Sequence, residues 1–348
     1  MRPPSASAAT DVGDIESGLC DVIRTRSGAR ELRFAKRPTP VRGGYWAEIF
    51  AFELAAAPRG FGGELILRLM PEPEVARRET ALQTAVAELG FPTPRVRATG
   101  GAEPFGRPYA IMDRAPGHTF DKSPTMAAKL ARLWRLPGLL AAAQSRLHAL
   151  PIASLEARLA HRGVEPGELA HDVAIGELGE LVQATGSREL ANAFDWLVAT
   201  RPPRGEPVLT HGDVHPNNLL VDGGGVWTLI DWSNACFADP ERDVAFTSEL
   251  FELRPLRLPR GTGALGDALL HEITRRMRTA YAGPAPLDRA RLAWYRALYQ
   301  LRIAARVTAA ELSLPEAALG ASHPNREMAP RAWARLRAAR AASRAPRG

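Results

Sequence analysis

The run Leu209-Thr-His-Gly-Asp-Val-His-Pro-Asn-Asn-Leu-Leu-Val221, followed by Ile230-Asp-Trp-Ser-Asn-Ala235, decides how this chain is read. It sets Asp213 five residues before Asn218, and puts a second aspartate, Asp231, at the end of the next apolar stretch. Gly212 and Pro216 make the segment around Asp213 a loop rather than a helix. A carboxylate on a loop can orient an attacking hydroxyl. An amide oxygen and a second carboxylate are hard donors suited to magnesium on a triphosphate. The spacing follows H-x-D-x-x-x-x-N, with Asp231 where D-F-G would stand. Phosphoryl transfer from a nucleotide is the chemistry this stretch predicts.

His211 and His215 stand four residues apart, the spacing of a zinc-binding helix. The glycine and proline beside them oppose a helix, and no glutamate lies between them, so zinc is set aside. His211 reads as a brace for the loop. His215 either faces the phosphates or is structural.

The gross composition fits a folded enzyme. The chain has 348 residues, 45% hydrophobic and 24% charged, which suits two lobes around large cores. Two cysteines, Cys20 and Cys236, form neither a disulfide framework nor a zinc pattern, so a reducing compartment is expected. No apolar run approaches a membrane span, and the N-terminus has no signal-peptide core, so the expected location is cytoplasmic. The net charge is +7, but seven arginines and one glutamate fall within residues 321–348, so nearly all of it sits there. That tail reads as partly helical and solvated. Basic residues interleaved with aromatics are not apparent, so nucleic acid is not the expected partner. Lysine is scarce: Lys36, Lys122 and Lys129 are the complete set.

Periodicity predicts a β-rich first part and a helical second part. After a helix over 14–25, strands are expected over 31–34, 46–53 and 64–70, with Leu65, Leu67 and Leu69 on one face of the last. A helix over 75–89 and a strand over 107–113 follow. Beyond Gly117 helices are expected over 126–136 and 139–150, separated by Pro137-Gly138, then over 169–184 and 187–200. Short strands over 207–209, 219–221 and 226–230 flank the opening motif. Helices over 265–281 and 292–311 follow. The acids Glu165, Glu168, Asp172, Glu177, Glu180, Glu249 and Glu252 read as a solvated face, with a cationic acceptor as the alternative.

His211-Gly-Asp-Val-His-Pro-Asn-Asn218, Ile230-Asp-Trp-Ser-Asn-Ala235 and Asp239-Pro-Glu-Arg-Asp243 together resemble the aminoglycoside phosphotransferase/choline kinase family over roughly residues 30–310. The resemblance implies an α+β, bilobal, protein-kinase-like fold with a small β-rich N-lobe and a larger helical C-lobe. It implies transfer of the terminal phosphate of ATP, or GTP, with Mg²⁺, to a hydroxyl of a small molecule such as an aminoglycoside-like antibiotic, a sugar or an amino alcohol. By the same match Asp213 is the catalytic aspartate and Asn218 and Asp231 are the metal ligands. Asp239 and Asp243 stabilise the fold. Gly43 and Gly44 begin the phosphate-covering turn. Glu79 pairs with the strand residue that is usually lysine and is here Arg68. The Asp113 carbonyl and the Ala115 amide hold the nucleobase. Residues 1–29 would be a leader with an N-terminal helix, 30–115 the nucleotide-binding lobe, 116–320 the catalytic and acceptor-binding lobe, and 321–348 the basic tail. Two alternatives are weighed. Arg68 in place of lysine would suit a non-catalytic nucleotide-binding module. A kinase of protein hydroxyls is opposed by the lack of an A-P-E ending, since Asp239-Pro-Glu-Arg-Asp243 follows Asp231 closely. The sequence leaves the oligomeric state unread.

Overall fold

The alternation in Glu64-Leu-Ile-Leu-Arg-Leu69 builds the strand on which the first lobe is organised (β3, Glu64–Leu69). Leu65, Leu67 and Leu69 are completely buried on one face, while Ile66 and Arg68 point to the other. The computed structural model describes residues 12–41, 47–119, 126–254, 263–314 and 323–344. In it β3 is the centre of a five-stranded antiparallel sheet of order β1-β2-β3-β5-β4, with β1 Phe34–Pro40, β2 Glu48–Leu54, β4 Val96–Gly100 and β5 Tyr109–Asp113. Helix α1 (Val12–Ser27) lays Ile15, Leu19, Val22 and Ile23 on the leucine face. The opposite face carries Met70, Ala110 and Met112 against Ala76 of α2 (Pro73–Glu88).

Two expectations in this lobe are corrected. The first strand runs over Phe34–Pro40, not 31–34, because its pairing with β2 begins at Phe34↔Leu54 and ends at Pro40↔Phe50. Its two prolines are tolerated because β1 is an edge strand with one partner. The sheet also contains β4, which the periodicity did not indicate. Its pairing with β5, rather than its own alternation, makes it a strand.

The second lobe is helical. Its elements are α3 (Met126–His148), α4 (Ile152–Ala160), α5 (His171–Ala184), α6 (Arg188–Ala199), α7 (Glu241–Leu253), α8 (Gly263–Ala280), α9 (Arg289–Glu311) and α10 (Pro324–Arg344). Short strands β6 (Val208–Thr210), β7 (Leu219–Val221), β8 (Trp227–Leu229) and β9 (Cys236–Ala238) form two antiparallel pairs, β6 with β9 and β7 with β8.

The break expected at Pro137 does not occur, and α3 continues through it. Leu136, Leu140, Ala141, Ala143 and Leu147 all enter one core cluster, so a single buried stripe spans the proline. Packing of that stripe outweighs the lost backbone hydrogen bond. The basic tail is corrected too. Helix α10 buries Met328, Ala329 and Ala332 against Leu253, Ile303 and Val307, and Leu336 against the α9 residues Leu301, Ala304 and Ala305. Three of its arginines are paired rather than simply solvated: Arg331 with Asp267, Arg335 with Glu249 and Glu252, Arg337 with Glu189.

Candidate active site

The loop between β6 and β7 is held from below by one buried aspartate. Asp243, completely buried on α7, accepts the backbone amides of His211 (2.9 Å to Oδ2) and Gly212 (2.6 Å to Oδ1). His148 Nε2 lies 3.1 Å from the same Oδ2, and its Nδ1 lies 2.7 Å from the Tyr281 hydroxyl. Burial acts to raise the Asp243 carboxyl, but His148 and Arg242 outweigh it and hold it below the usual carboxylate range. Gly212 has φ +73, and a Cβ there would lie 2.5 Å from the Arg242 guanidinium, so only glycine fits. Thr247 on α7 donates to the Val214 carbonyl at 2.7 Å. Asp239 takes the Gly205 amide and the Tyr295 hydroxyl.

On this support Asp213 is partly exposed. Asn218 Nδ2 donates to the Asp213 carbonyl (3.0 Å) and to its Oδ2 (3.1 Å). Since that amide nitrogen is spent on Asp213, the Asn218 side-chain oxygen is the atom left to accept a ligand. His215 Nε2 lies 3.5 Å from Asp213 Oδ1, while its Nδ1 receives the Asn217 amide at 3.1 Å. The ring nitrogen facing the carboxylate therefore carries the proton. Burial would lift the Asp213 carboxyl, but His215, His211 and Arg302 together hold it below its ordinary value. His211 directs Nε2 to the Ile230 carbonyl (3.2 Å) and packs against Trp232, so it braces the loop as expected. Burial pushes its pKa down, which keeps it neutral.

Asp231 ends the β7–β8 hairpin with φ +69, a left-handed conformation that a non-glycine residue rarely adopts. The Ile230 amide donates to the Asn218 carbonyl at 3.0 Å, which seats the Asp231 step beside Asn218. Ser233 donates to Asp231 Oδ1 at 2.9 Å. The Asp231 side chain is 41% exposed and faces Arg68 Nη2 at 4.0 Å. Arg68 in turn places Nη1 2.5 Å from Glu79 Oε1. Burial opposes charge on Arg68, but Glu79 and Asp231 overcome it and keep the guanidinium protonated. The arginine thus occupies the strand position where lysine is usual and keeps its link to α2.

The structure therefore brings Arg68, Glu79, Asp213, His215, Asn218 and Asp231 into one region. Asp113 ends β5, where it pairs with Leu65 of β3, and Ala115 follows two residues later. The Asp113 carboxylate is fully engaged by Arg97, through Nε (2.6 Å) and Nη2 (2.9 Å), so its side chain serves the sheet. The segment after β5 joins β7 through reciprocal backbone bonds between His118 and Val221. Gly117, at φ +94, passes so close that a Cβ would meet the Val221 carbonyl at 2.5 Å. Gly43 and Gly44 lie outside the described residues. Sequence reasoning marked Gly117 as the lobe boundary but missed its close approach to Val221, and it missed the Asp243–His148–Tyr281 chain and Thr93, which accepts the Trp232 indole N–H at 2.9 Å. Glycine before a polar residue was the only signal for the first. The others are contacts between distant segments.

The acids expected as a solvated face are largely paired. Glu168 binds Arg77, and Asp172 binds Arg201 and Arg204. Glu249 is completely buried with Arg296 and Gln300. Glu177 and Glu180 are exposed.

Residues 39–278 match the phosphotransferase enzyme family (APH). The chain belongs to that family. Two curated relatives match part of it. Aminoglycoside 3'-phosphotransferase of Escherichia coli is 33% identical over 110 residues, covering 30% of this chain and 40% of the relative. Acyl-CoA dehydrogenase family member 11 of Pongo abelii is 25% identical over 198 residues, covering 55% of this chain and 25% of the relative. The chain thus spans well under half the length of either. Among solved structures, one from Ralstonia eutropha superposes with a TM-score of 0.62 at 16% identity, covering 95% of this chain and 98% of the other. A thermostable mutant of aminoglycoside phosphotransferase APH(4)-Ia, in a ternary complex with ADP and hygromycin B, gives 0.56 at 18%, covering 93% and 98%. Macrolide 2'-phosphotransferase MphH from Brachybacterium faecium gives 0.50 at 17%, covering 90% and 97%. These likenesses establish the bilobal protein-kinase-like fold. Among the described residues, no helix is long and apolar enough to cross a membrane.

Proposed function

We propose that the protein is a small-molecule O-phosphotransferase that moves the terminal phosphate of ATP or GTP to a hydroxyl of its acceptor. The observation that carries this reading is the convergence of Asp213, Asn218 and Asp231 under Arg68. The nucleotide side gains support from fold relatives solved with ADP, with AMP-PNP and, in another phosphotransferase, with GDP.

Asp213 stays ionised and would receive the acceptor hydroxyl, aligning its oxygen with the terminal phosphorus and taking its proton as the bond forms. The bond from that phosphorus to the bridging oxygen breaks, and the nucleoside diphosphate leaves. Arg68, fixed by Glu79, directs a guanidinium at the phosphates. The donor set fits magnesium: the free oxygen of Asn218 and the exposed Asp231 carboxylate supply two hard ligands, and no group of three His, Cys, Asp or Glu side chains forms a closed protein cage among the described residues. Bound there, Mg²⁺ would neutralise phosphate charge. By this account catalysis comes from positioning and electrostatics.

The test is transfer from magnesium-ATP and magnesium-GTP to hydroxylated acceptors by the wild type and Asp213→Asn. The variant should lose roughly 10²-fold or more in turnover while still binding magnesium-nucleotide. Full activity in it would remove Asp213 from the reaction.

A further inference from the structure

Helix α9 carries Tyr299, Arg302 and Arg306 on successive turns of one face. This helix packs within the helical lobe, so its arginines come to the site from the lobe that does not supply Arg68. Arg302 donates through Nη2 to Asn234 Oδ1 at 2.6 Å, and Asn234 lies three residues beyond Asp231. Asn234 is fixed in turn, because its carbonyl accepts Arg242 Nη2 at 2.8 Å. Tyr299 packs against Phe246 of α7 with ring centroids 4.5 Å apart. Arg302 and Arg306 are both partly buried. Among the described residues Arg302 meets only a neutral amide oxygen, and Arg306 has no hydrogen bond or ion pair.

The charge of Asp213 reaches all three side chains. Burial, with repulsion from Arg306 and Arg242, lowers Arg302 to about 10, and burial also lowers Arg306. Two neighbouring cations, partly withdrawn from water and with no carboxylate bonded to either among the described residues, are a costly arrangement. A ligand oxyanion would relieve it. Four of the seven acids that a cationic acceptor could use are already paired. Glu168, Asp172, Glu249 and Glu252 are engaged by arginines. Besides Asp213, Glu177 is the acid whose field reaches Arg306, and it is exposed on α5.

We infer that the acceptor carries an oxyanion, a carboxylate or a phosphate, beside its hydroxyl, and that Arg306 and Arg302 hold this anion so that the hydroxyl meets Asp213. The inference rests on Asp213 being the hydroxyl-orienting group, and it narrows the acceptor to a class. Both arginines are binding and specificity residues here. A guanidinium fork suits either anion.

The full chain would be given magnesium-ATP with matched probes. Hydroxycarboxylates (3-hydroxybutanoate, gluconate) form one arm and hydroxylated phosphate esters (glycerol 3-phosphate, glucose 6-phosphate) another. Butane-1,3-diol, glycerol, glucose, glucosamine and kanamycin serve as neutral or cationic counterparts. Phosphorylated product is followed by mass spectrometry, and binding of each probe by calorimetry with and without magnesium-ADP. One oxyanion arm should exceed its counterparts at least about tenfold in kcat/KM, a difference that one desolvated charge-assisted contact can supply. Arg306→Gln should raise KM for that arm about tenfold with kcat little changed, and Arg306→Lys should recover most of the loss. Circular dichroism of both variants excludes simple unfolding. Preference for glucosamine or kanamycin, or no binding of any oxyanion by a chain that still binds magnesium-nucleotide, would overturn the inference and leave the kinase reading intact. Oxyanion binding that depends on Arg306 in a chain that binds no nucleotide would do the reverse.

Discussion

Asp243 and Asp213 sit under and on the same loop, and their surroundings predict opposite behaviour on substitution. Asp243 is completely buried and uses both oxygens on the His211 and Gly212 amides, with His148 alongside. Asp243→Ala would strand two amide donors and a histidine in the core, costing about 3 kcal/mol or more. Asp213 is partly exposed and its bonds to Asn218 survive in part through its own carbonyl. Asp213→Asn should therefore stay within about 1 kcal/mol of the wild type. Urea unfolding of the two variants checks the pair, and equal midpoints would contradict this division. Asp213 was legible in the sequence because glycine, proline and asparagine fix the loop around it, and Asp243 through the resemblance carried by Asp239-Pro-Glu-Arg-Asp243. The partners of Asp243 were not legible, since His148 and Tyr281 come from distant helices. Arg302 and Arg306 were hidden differently. The stripe Tyr295, Tyr299, Ile303 and Val307 marks the packed face of α9, and arginines on its flank look like ordinary solvent-facing charge.

At the level of elements, β3 and α2 act as a unit through Arg68 and Glu79, whose side chains are only 12% and 2% exposed. Glu79→Gln removes the charge that anchors the guanidinium, so KM for nucleotide should rise roughly tenfold, about 1.4 kcal/mol. An unchanged KM would mean that Arg68 holds its pose without Glu79. Helix α10 makes a different contribution. It covers Ile303 and Val307 of α9 with Met328, Ala329 and Ala332. Ending the chain at residue 322 would expose this seam, and burial of a Met or Leu is worth roughly 1.5–3 kcal/mol each. The melting temperature should fall by about 5 °C or more, whereas a dispensable tail would leave it unchanged. The composition of this segment suggested solvation because arginine dominates it, yet its few apolar residues share one face. Helix α7 escaped the reading for the opposite reason. It is buried nearly all round, with Glu241, Asp243, Thr247, Ser248 and Glu249 inside, and so presents no apolar stripe. The alternation in β3 was readable because one face is leucine, while β4 and β9 depend on their partners.

For the whole molecule, the buried charges set the response to pH. His171 is buried against Trp294 and Tyr295, and burial, with Arg242 and Arg201, lowers its pKa from 6.5 to about 2. The folded protein thus binds its proton less readily than the unfolded chain. Stability from this group is complete above about pH 6.5 and is lost as pH falls toward 2. Asp243 and Asp213, also lowered, lose theirs only below the ordinary aspartate value of 3.8. Between pH 6 and 4.5 the slope from His171 should approach about 1.4 kcal/mol per pH unit. His171→Phe, which keeps the ring contacts, should reduce the total slope by about that much in urea titrations across that range, leaving the share of His211 and His323, which burial also lowers. A slope unaltered by the substitution would place the acid sensitivity elsewhere. The two lobes meet where Arg68 from the sheet faces Asp231 from the hairpin, 4.0 Å away. On the proposed function, that meeting joins a phosphate-directed arginine to the loop that holds Asp213. The most direct test is magnesium-dependent transfer of labelled phosphate from ATP or GTP to a hydroxylated acceptor, run side by side for the wild type and Asp213→Asn. The wild type should give a labelled phosphoester, reduced by roughly two orders of magnitude or more in a variant that still binds nucleotide. A variant that transfers phosphate as fast as the wild type would contradict the proposed function.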